Sequence, residues 1–379
     1  MSASSMGFWS ETGRRLKGQR AARFGFRALL GLFVLGALAP LLAREAPLWA
    51  SVEGTMRWPA FSAFSAADVV WLGALLIAVI GRLRRRLPRR VVGLAMVVIA
   101  GLTVALAVTA RPVNLAVDDW DRLEREGAST VWPLCPHGTE DLDRDRILVG
   151  PTLSGGHPLG TDGLGRDVFA RVLWGARTSL LVGVIAAGTA SIIGLLLGAI
   201  AGWYAGRVDA LVSWLIQVIM CFPVLVLVLA LCTFVRPSLM WVMLLIGLTS
   251  WGIPARLVRG EVMRLRALPF VEAARALGVP EHRVLLRHVI PNALGPLIVY
   301  AALGAAAAIL VESTLSFLGI GDSTVASWGA LLHDGRDASP DGGHLVLAPG
   351  LMIFFTVVAW HAVGDGLRDA TDVSTEGQS

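Results

Sequence analysis

The sequence predicts an all-α, polytopic integral membrane protein, and three observations carry that prediction. Of its 379 residues, 55% are hydrophobic and only 16% charged, whereas a soluble domain uses about 25% charged residues. Mean hydropathy is +0.66. Uncharged stretches recur at the length a helix needs to cross the hydrocarbon core, roughly 20 residues. Such a chain cannot cover its surface with polar groups in water.

The spans follow in order. Residues 1–27 are a polar tail with six basic residues, Arg14, Arg15, Lys17, Arg20, Arg23 and Arg27. The uncharged run 28–43 reads as an uncleaved anchor rather than a signal peptide, because the basic region before it is long and further apolar segments follow. The next candidate, 61–81, contains Asp68. An arginine-rich segment, 82–90, then leads into 91–110, twenty residues without a charge. The stretch 111–172 holds eleven acidic against seven basic residues, with Pro133, Pro136, Pro151 and Pro158 breaking any long helix. Beyond it, Arg177 to Arg207 encloses 29 uncharged residues, Asp209 to Arg236 encloses 26, and Arg236 to Arg256 encloses 19. A charged amphipathic region, 256–287, separates these from two further spans at 289–311 and 344–364.

Eight transmembrane helices result. Arginine-rich segments stay on the cytoplasmic side, which places 1–27, 82–90 and 256–287 there with both termini, and the acidic loop outside. The predicted organisation is a basic tail 1–27, N-terminal helices 28–110, an extracytoplasmic loop 111–172, a core 173–370 containing a cytoplasmic loop 256–290, and a tail 371–379.

Several function classes fall away. The net charge of +5 sits beside apolar segments, a topogenic pattern rather than a nucleic-acid footprint. Lys17 is the one lysine, so a Walker A loop, which needs a lysine after its glycines, is excluded. Cys135, Cys221 and Cys232 show no CxxC and no metal spacing. His333, His344 and His361 do not form an HExxH pattern. No metal and no cofactor is expected.

Two strings carry information from physics alone. Gly194, Gly198, Gly202 and Gly206 lie four residues apart and form a smooth stripe that lets another helix approach closely; intramolecular packing and a subunit or gate surface both fit. From Leu268 to Pro280, Pro269 suits a first helical turn, Glu272 complements the helix dipole, and Gly278 is a natural stop. A short helix, a turn and a second helix result, with Ala273 and Ala274 small enough for the first helix to enter a cleft. From physics alone, a helix lying on the membrane surface is the better reading, with docking into a partner's cleft the other.

The string EAARALGVPEHRVLLRHVIPN resembles the EAA loop of permease subunits of binding-protein-dependent ABC importers: Glu272, Ala273, Ala274, Gly278 and Pro291 stand at the spacing of that pattern. Its Arg-His-Val-x-Pro-Asn ending is similar to the dipeptide/oligopeptide/nickel subfamily. Three more strings resemble the same subfamily: His157 through Asp167 with Gly160, Thr161, Asp162, Gly165 and Arg166; Glu312-Ser313 through Gly321; and Gly364 through Asp369. The resemblance covers about 150–372. Departures are Ala170 where serine is usual, His288 where the general pattern is aliphatic, and three predicted helices before the outer loop where the family has one.

The resemblance implies a type I importer permease in the inner membrane with five core helices, about 176–206, 210–235, 237–255, 289–311 and 344–364. It also implies a second homologous permease, two cytoplasmic ATPases, an extracytoplasmic solute-binding protein and a di- or oligopeptide substrate. The chain itself performs no covalent chemistry. Glu312 is expected to end its span beside Ser313, either contacting substrate in the passage or bonding backbone amides. Asp209 and Asp365 are expected at helix ends. The GTDGLGRD turn, with no strand before it and no lysine after it, is not a phosphate cradle. It reads as a capped turn bonded through Asp162, Arg166 and Asp167 near the outer mouth, in a structural or a gating role. The alternative function is a carrier driven by an ion gradient, for which Glu312 and Asp68 are the intramembrane carboxylates.

Overall fold

A computed structural model describes residues 12–16, 18–52, 55–57, 59, 64–83, 129–152, 156–235, 238–322, 324–338 and 342–371. The expected span 91–110, the arginines beyond Leu83 and the tail beyond Thr371 lie outside them. In chain order the elements are α1 (Arg20–Leu42), β1 (Trp49–Val52), β2 (Thr55–Arg57), α2 (Ala66–Leu83), β3 (Ser129–Val131), α3 (Val168–Tyr204), α4 (Gly206–Cys221) and α5 (Val224–Cys232). After these come α6 (Leu239–Thr249), α7 (Gly252–Arg266), α8 (Pro269–Ala276), α9 (Glu281–Phe317), α10 (Trp328–Asp337) and α11 (Gly343–Thr371).

Among the described residues, α1, α3, α9 and α11 are each long and apolar enough to cross a membrane. Two bent helix pairs, α4 with α5 at 82° and α6 with α7 at 41°, reach that length and apolarity only when each pair is taken together. The first break has a local cause. Pro223 pushes the residue before it out of the helical region, and Phe222 is extended at φ −94°, ψ 131°. At the second break Pro254 occupies the first turn of α7, where its missing N–H is tolerated.

The helices that carry the five expected core spans run beyond the expected span limits. α3 begins at Val168 rather than 176, α7 runs on through Arg256 to Arg266, α9 extends from 281 to 317, and α11 continues to Thr371. Charged side chains bound the apolar run but do not stop a helix. Glu312 and Asp365 therefore lie inside helices, not at their ends. Inside α9, five residues (Leu285–Val289) form a π turn. A three-stranded antiparallel sheet, ordered β2-β1-β3, stands where only connecting loop was expected; strands of three or four residues leave no periodic trace.

The chain divides into two compact units, one of residues 1–29, 179–325 and 353–379, the other of 30–178 and 326–352. In the first, the glycine stripe packs α3 against α7. An added Cβ would stand 2.8 Å from Ala255 N at Gly194, 2.4 Å from Ala255 O at Gly198 and 2.7 Å from Arg259 O at Gly202. These are backbone-to-backbone approaches that only glycine allows. Gly206 does not share the stripe: it has φ +57°, begins α4 and has open space around it. Asp209 in the first turn of α4 pairs with Arg259, whose second nitrogen lies 2.7 Å from Asp209 Oδ2.

In the second unit, Ala39, Ala43, Cys135, Ala170 and Leu173 form one buried cluster, and Val168, Val172, Leu331 and Leu345 another. Asp68, 1% exposed, accepts from the buried Arg177, and Arg44 approaches its other oxygen at 3.7 Å. The Arg177 guanidinium lies 5.5 Å and 4.9 Å from the ring centres of Trp71 and Trp174. Asp68 is thus the tie between α2 and α3.

Removing one partner of a buried ion pair costs about 3–5 kcal/mol, whereas replacing both by apolar groups can be neutral. Asp68→Ala should destabilise the detergent-solubilised protein by that order, and Asp68→Leu combined with Arg177→Met should recover most of it in thermal unfolding. Gly198→Leu should lower the melting temperature through roughly 1–3 kcal/mol of overpacking. Gly188→Ala, at a position with nothing within 4 Å of the added carbon, should not lower it.

Candidate functional site

The α7–α9 segment is built on one apolar cluster. Val258, Val262 and Leu265 of α7, Val271 of α8, and Val284, Leu285, Val289 and Ala293 of α9 are buried together with Ala199 and Trp203 of α3. α8 starts as its sequence dictates, with Pro269 in the first turn. It ends in a Schellman motif: Val279 N donates to Ala274 O at 3.1 Å and Gly278 N to Arg275 O at 2.9 Å. Gly278 takes φ +74°, the left-handed conformation this motif requires.

α8 therefore has two faces. Val271 is fully buried, and Arg275 faces inward. Glu272, Ala273, Ala276, Leu277 and Gly278 are exposed, Leu277 at 83%. Ala274 is half-buried, and Pro291 is half-buried at the start of the regular α-helical part of α9. The outward face is thus small-sided and apolar with one carboxylate; Leu286, in the π turn of α9, is also exposed, at 62%. Pro254, Ala255 and Val258 fill the grooves beside Gly194 and Gly198, so those glycines are turned inward within this chain.

The turn before α3 is a second cluster, within the other unit. Asp162 is fully buried and accepts from the amides of Leu164 and Arg166, both at 2.9 Å, from Arg166 Nε at 2.7 Å and from Arg171 at 2.5 Å. Both arginines also reach Asp334 of α10, at 3.1 Å and 2.6 Å. Burial by itself would raise the Asp162 carboxyl, but Arg171, Arg166 and the amides outweigh it and hold it below its ordinary value. Asp167 caps α3 by accepting from Ala170 N at 2.7 Å, and its other oxygen meets His157 Nδ1 at 2.7 Å. Thr161 accepts from Val149 N at 2.9 Å, and its carbonyl meets His344 Nε2 at 3.0 Å. Gly160 and Gly165 have φ +81° and +84°; an added Cβ would stand 2.4 Å from Val149 O and 2.1 Å from Asp143 O.

Sequence reasoning gave Cys135, His137 and Asp143 no role, yet they close this turn. Cys135 Sγ lies 3.5 Å from Asp167 Oδ1, and burial pushes its thiol up to about 12. The rings of His137 and His157 stack at 4.5 Å. Asp141, bonded to His137 at 3.2 Å, raises that imidazole above its ordinary value. Among the described residues no group of His, Cys, Asp and Glu has the arrangement of a metal site. Glu312, expected at a helix end, is 1% exposed inside α9; Ser316 donates to it at 2.8 Å and Ser313 lies at 3.5 Å. These hydroxyls, one turn apart on the same helix, let a carboxylate sit within the span.

The two shifted groups give opposite pH limits. Asp162, held below 3.8, contributes stability that is complete above that value and lost as pH falls through its depressed pKa. His137, raised above 6.5, contributes stability that is complete below 6.5 and lost as pH rises through its raised pKa. Amide protection factors over 137–152 and 156–166, which remove the intrinsic pH dependence of exchange, should therefore be greatest between these limits. His137→Asn should remove the alkaline limb alone; an unchanged alkaline limb would assign that limb to another group.

A family model described as "Binding-protein-dependent transport system inner membrane component" matches residues 194–373. The chain is 40% identical over 238 residues to the oligopeptide transport system permease protein OppC of Haemophilus influenzae, covering 62% of this chain and 76% of that protein. It is 41% identical over 226 residues to the dipeptide transport system permease protein DppC of Alkalihalophilus pseudofirmus, covering 59% and 74%. With the glutathione transport system permease protein GsiD of Pectobacterium atrosepticum it shares 36% identity over 241 residues, covering 63% and 79%. The matched region takes in the α3–α7 contact, α8 and all the membrane helices after them. The chain belongs to the family of binding-protein-dependent transport system inner membrane components, as a permease subunit of an ABC importer with no ATPase of its own.

Proposed function

We propose that this permease carries di- or oligopeptides, or closely related solutes, inward across the inner membrane, and that α8 is the element through which ATP hydrolysis drives it. The observation that carries the coupling reading is the geometry of α8. One face is locked into the α3–α7–α9 cluster, and on the other Glu272, Ala273 and Leu277 are exposed, with none of the described residues covering them. The named substrates of the relatives support the peptide reading. In this reading both termini and α8 are cytoplasmic, two ATPase subunits receive α8 and its counterpart in a second, homologous permease, and a solute-binding protein delivers peptide from outside. Glu312 and Ser313 line the passage, and the turn from Gly160 to Asp167 stands at its outer mouth.

Affinity purification of the tagged chain from its native membranes should recover two P-loop ATPases and a second EAA-bearing permease. Gly278 has open space around it, so Gly278→Asp burdens this chain only with a left-handed side chain, about 1–2 kcal/mol, while blocking a partner's approach. Gly278→Asp and Glu272→Lys should each abolish peptide uptake and reduce ATPase recovery, with normal membrane insertion. Retained uptake in both would remove α8 from the coupling route. Asp167→Ala that leaves uptake and protein level normal would restrict the outer turn to a structural role.

A further inference from the structure

α8 is joined to α3 by a contact that neither the chain path nor the EAA pattern requires. Arg275, in the last turn of α8, lies with its guanidinium carbon 5.0 Å from the ring centre of Trp203, near the C-terminus of α3. Its Nε and second terminal nitrogen donate to the two oxygens of Glu281, the first residue of α9, at 2.9 Å and 3.1 Å. Trp203 is itself 4% exposed, and its carbonyl accepts from Arg266, the last residue of α7, at 2.7 Å. One side chain of α8 thus touches two membrane helices, and the tryptophan beneath it is held by a third.

The chemistry is selective. A planar guanidinium can stack on an indole and bind a carboxylate through two parallel bonds at once; an ammonium can do neither in this geometry. An exposed ion pair alone is worth little, and Glu281 is 56% exposed, so the pair is a poor device for holding the chain folded. As a device for orientation it is effective. Phe270, Val271 and Ala274 seat α8 on the apolar cluster, and the guanidinium over Trp203 with the two-pronged bond to Glu281 adds a directional restraint on how the helix can roll. Beyond Trp203, the backbone contacts at Gly194, Gly198 and Gly202 make α3 and α7 one body.

We propose that Arg275 is a positioning residue of the transport cycle: it passes displacement of α8 sideways to the α3–α7 pair through Trp203, and to α9 through Glu281. This rests on the reading that α8 receives the ATPase, and it adds a second route to the covalent one through the π turn of α9.

The test uses the complex purified from native membranes and reconstituted in liposomes, reading ATPase content, ATP hydrolysis and peptide uptake. Arg275→Ala should lower uptake about tenfold or more, while ATPase content and basal hydrolysis stay within about twofold; Arg275→Lys, which keeps only the charge, should recover a minor part. Trp203→Leu should match Arg275→Ala, and the double variant should be no worse than either alone. Uptake unchanged in Arg275→Ala overturns the proposal, as does loss of the ATPase from the complex, which would make Arg275 part of docking rather than transmission. If Arg275→Ala does not accumulate, Glu281→Gln is measured instead, and uptake that stays at the parent level overturns the route to α9. A parent complex that contains no ATPase defeats the coupling reading itself, and is distinguishable because it appears before any variant is made.

Discussion

The approach of α3 to α7 is the contact on which the other features of this permease rest. Between lipid-exposed helices there is no hydrophobic gain from leaving water, so close van der Waals packing has to supply the association. Three glycines at i, i+4 spacing let the α3 backbone come against the backbone of Ala255 and Arg259 and the side chains of Pro254, Val258 and Val262. Val258 and Val262, in the same groove, are buried and reach into the cluster that receives Val271 of α8 and Val289 of α9. Larger residues at Gly198 or Gly202 would separate α3 from α7, displace Trp203 and remove the floor under Arg275. The stripe therefore underlies the seat of α8 as well as the fold.

Polar groups in the helices follow a second rule, that a carboxylate placed in or beside a span needs a donor supplied by the protein. Asp68 finds Arg177, Asp209 finds Arg259 and Glu312 finds Ser316. The first pair also accounts for how a helix outside the family pattern is retained. α2 brings one carboxylate in its first turn, and Arg177 of α3 receives it between two indoles. This makes Asp68 a poor ion ligand for a gradient-driven carrier, because its charge is already matched.

The spans and the motifs were legible in the sequence for different reasons. Runs bounded by arginine or aspartate locate the helices that cross lipid, but burial in the bilayer is a different constraint from helix formation. Arg256, Arg259 and Arg264 terminate an apolar run while α7 continues through them to Arg266. Breaks within the long runs were also marked, by Pro223 and Pro254, yet each run is long enough to pass as a single helix. In the outer turn the local bonds of Asp162 to Arg166 were readable at i, i+4. Asp334, 168 residues from Arg166, was not, because contacts across such distances are set by packing. Cys135 and His137 were silent for the same reason, since a buried thiol and a stacked imidazole leave no spacing to recognise.

What distinguishes α8 from the rest is that its outward face is left uncovered by the described residues. Leu277 and Leu286 stand 83% and 62% exposed, and burying one leucine side chain is worth about 1.5–3 kcal/mol. Gly278, in open space at positive φ, stops the helix, and Pro280 keeps it from continuing. On the inward face the opposite holds, and Val271 and Arg275 are fully engaged. Departures from local stability concentrate where a second protein can recover them, and here they lie on one side of an eight-residue helix. On the proposed coupling route, the guanidinium over Trp203 on its other side limits the roll of that side. A helix that is soft toward its partner and rigid toward its own membrane spans is what transmission requires, because a displacement that merely rotated α8 would be lost before it reached α3.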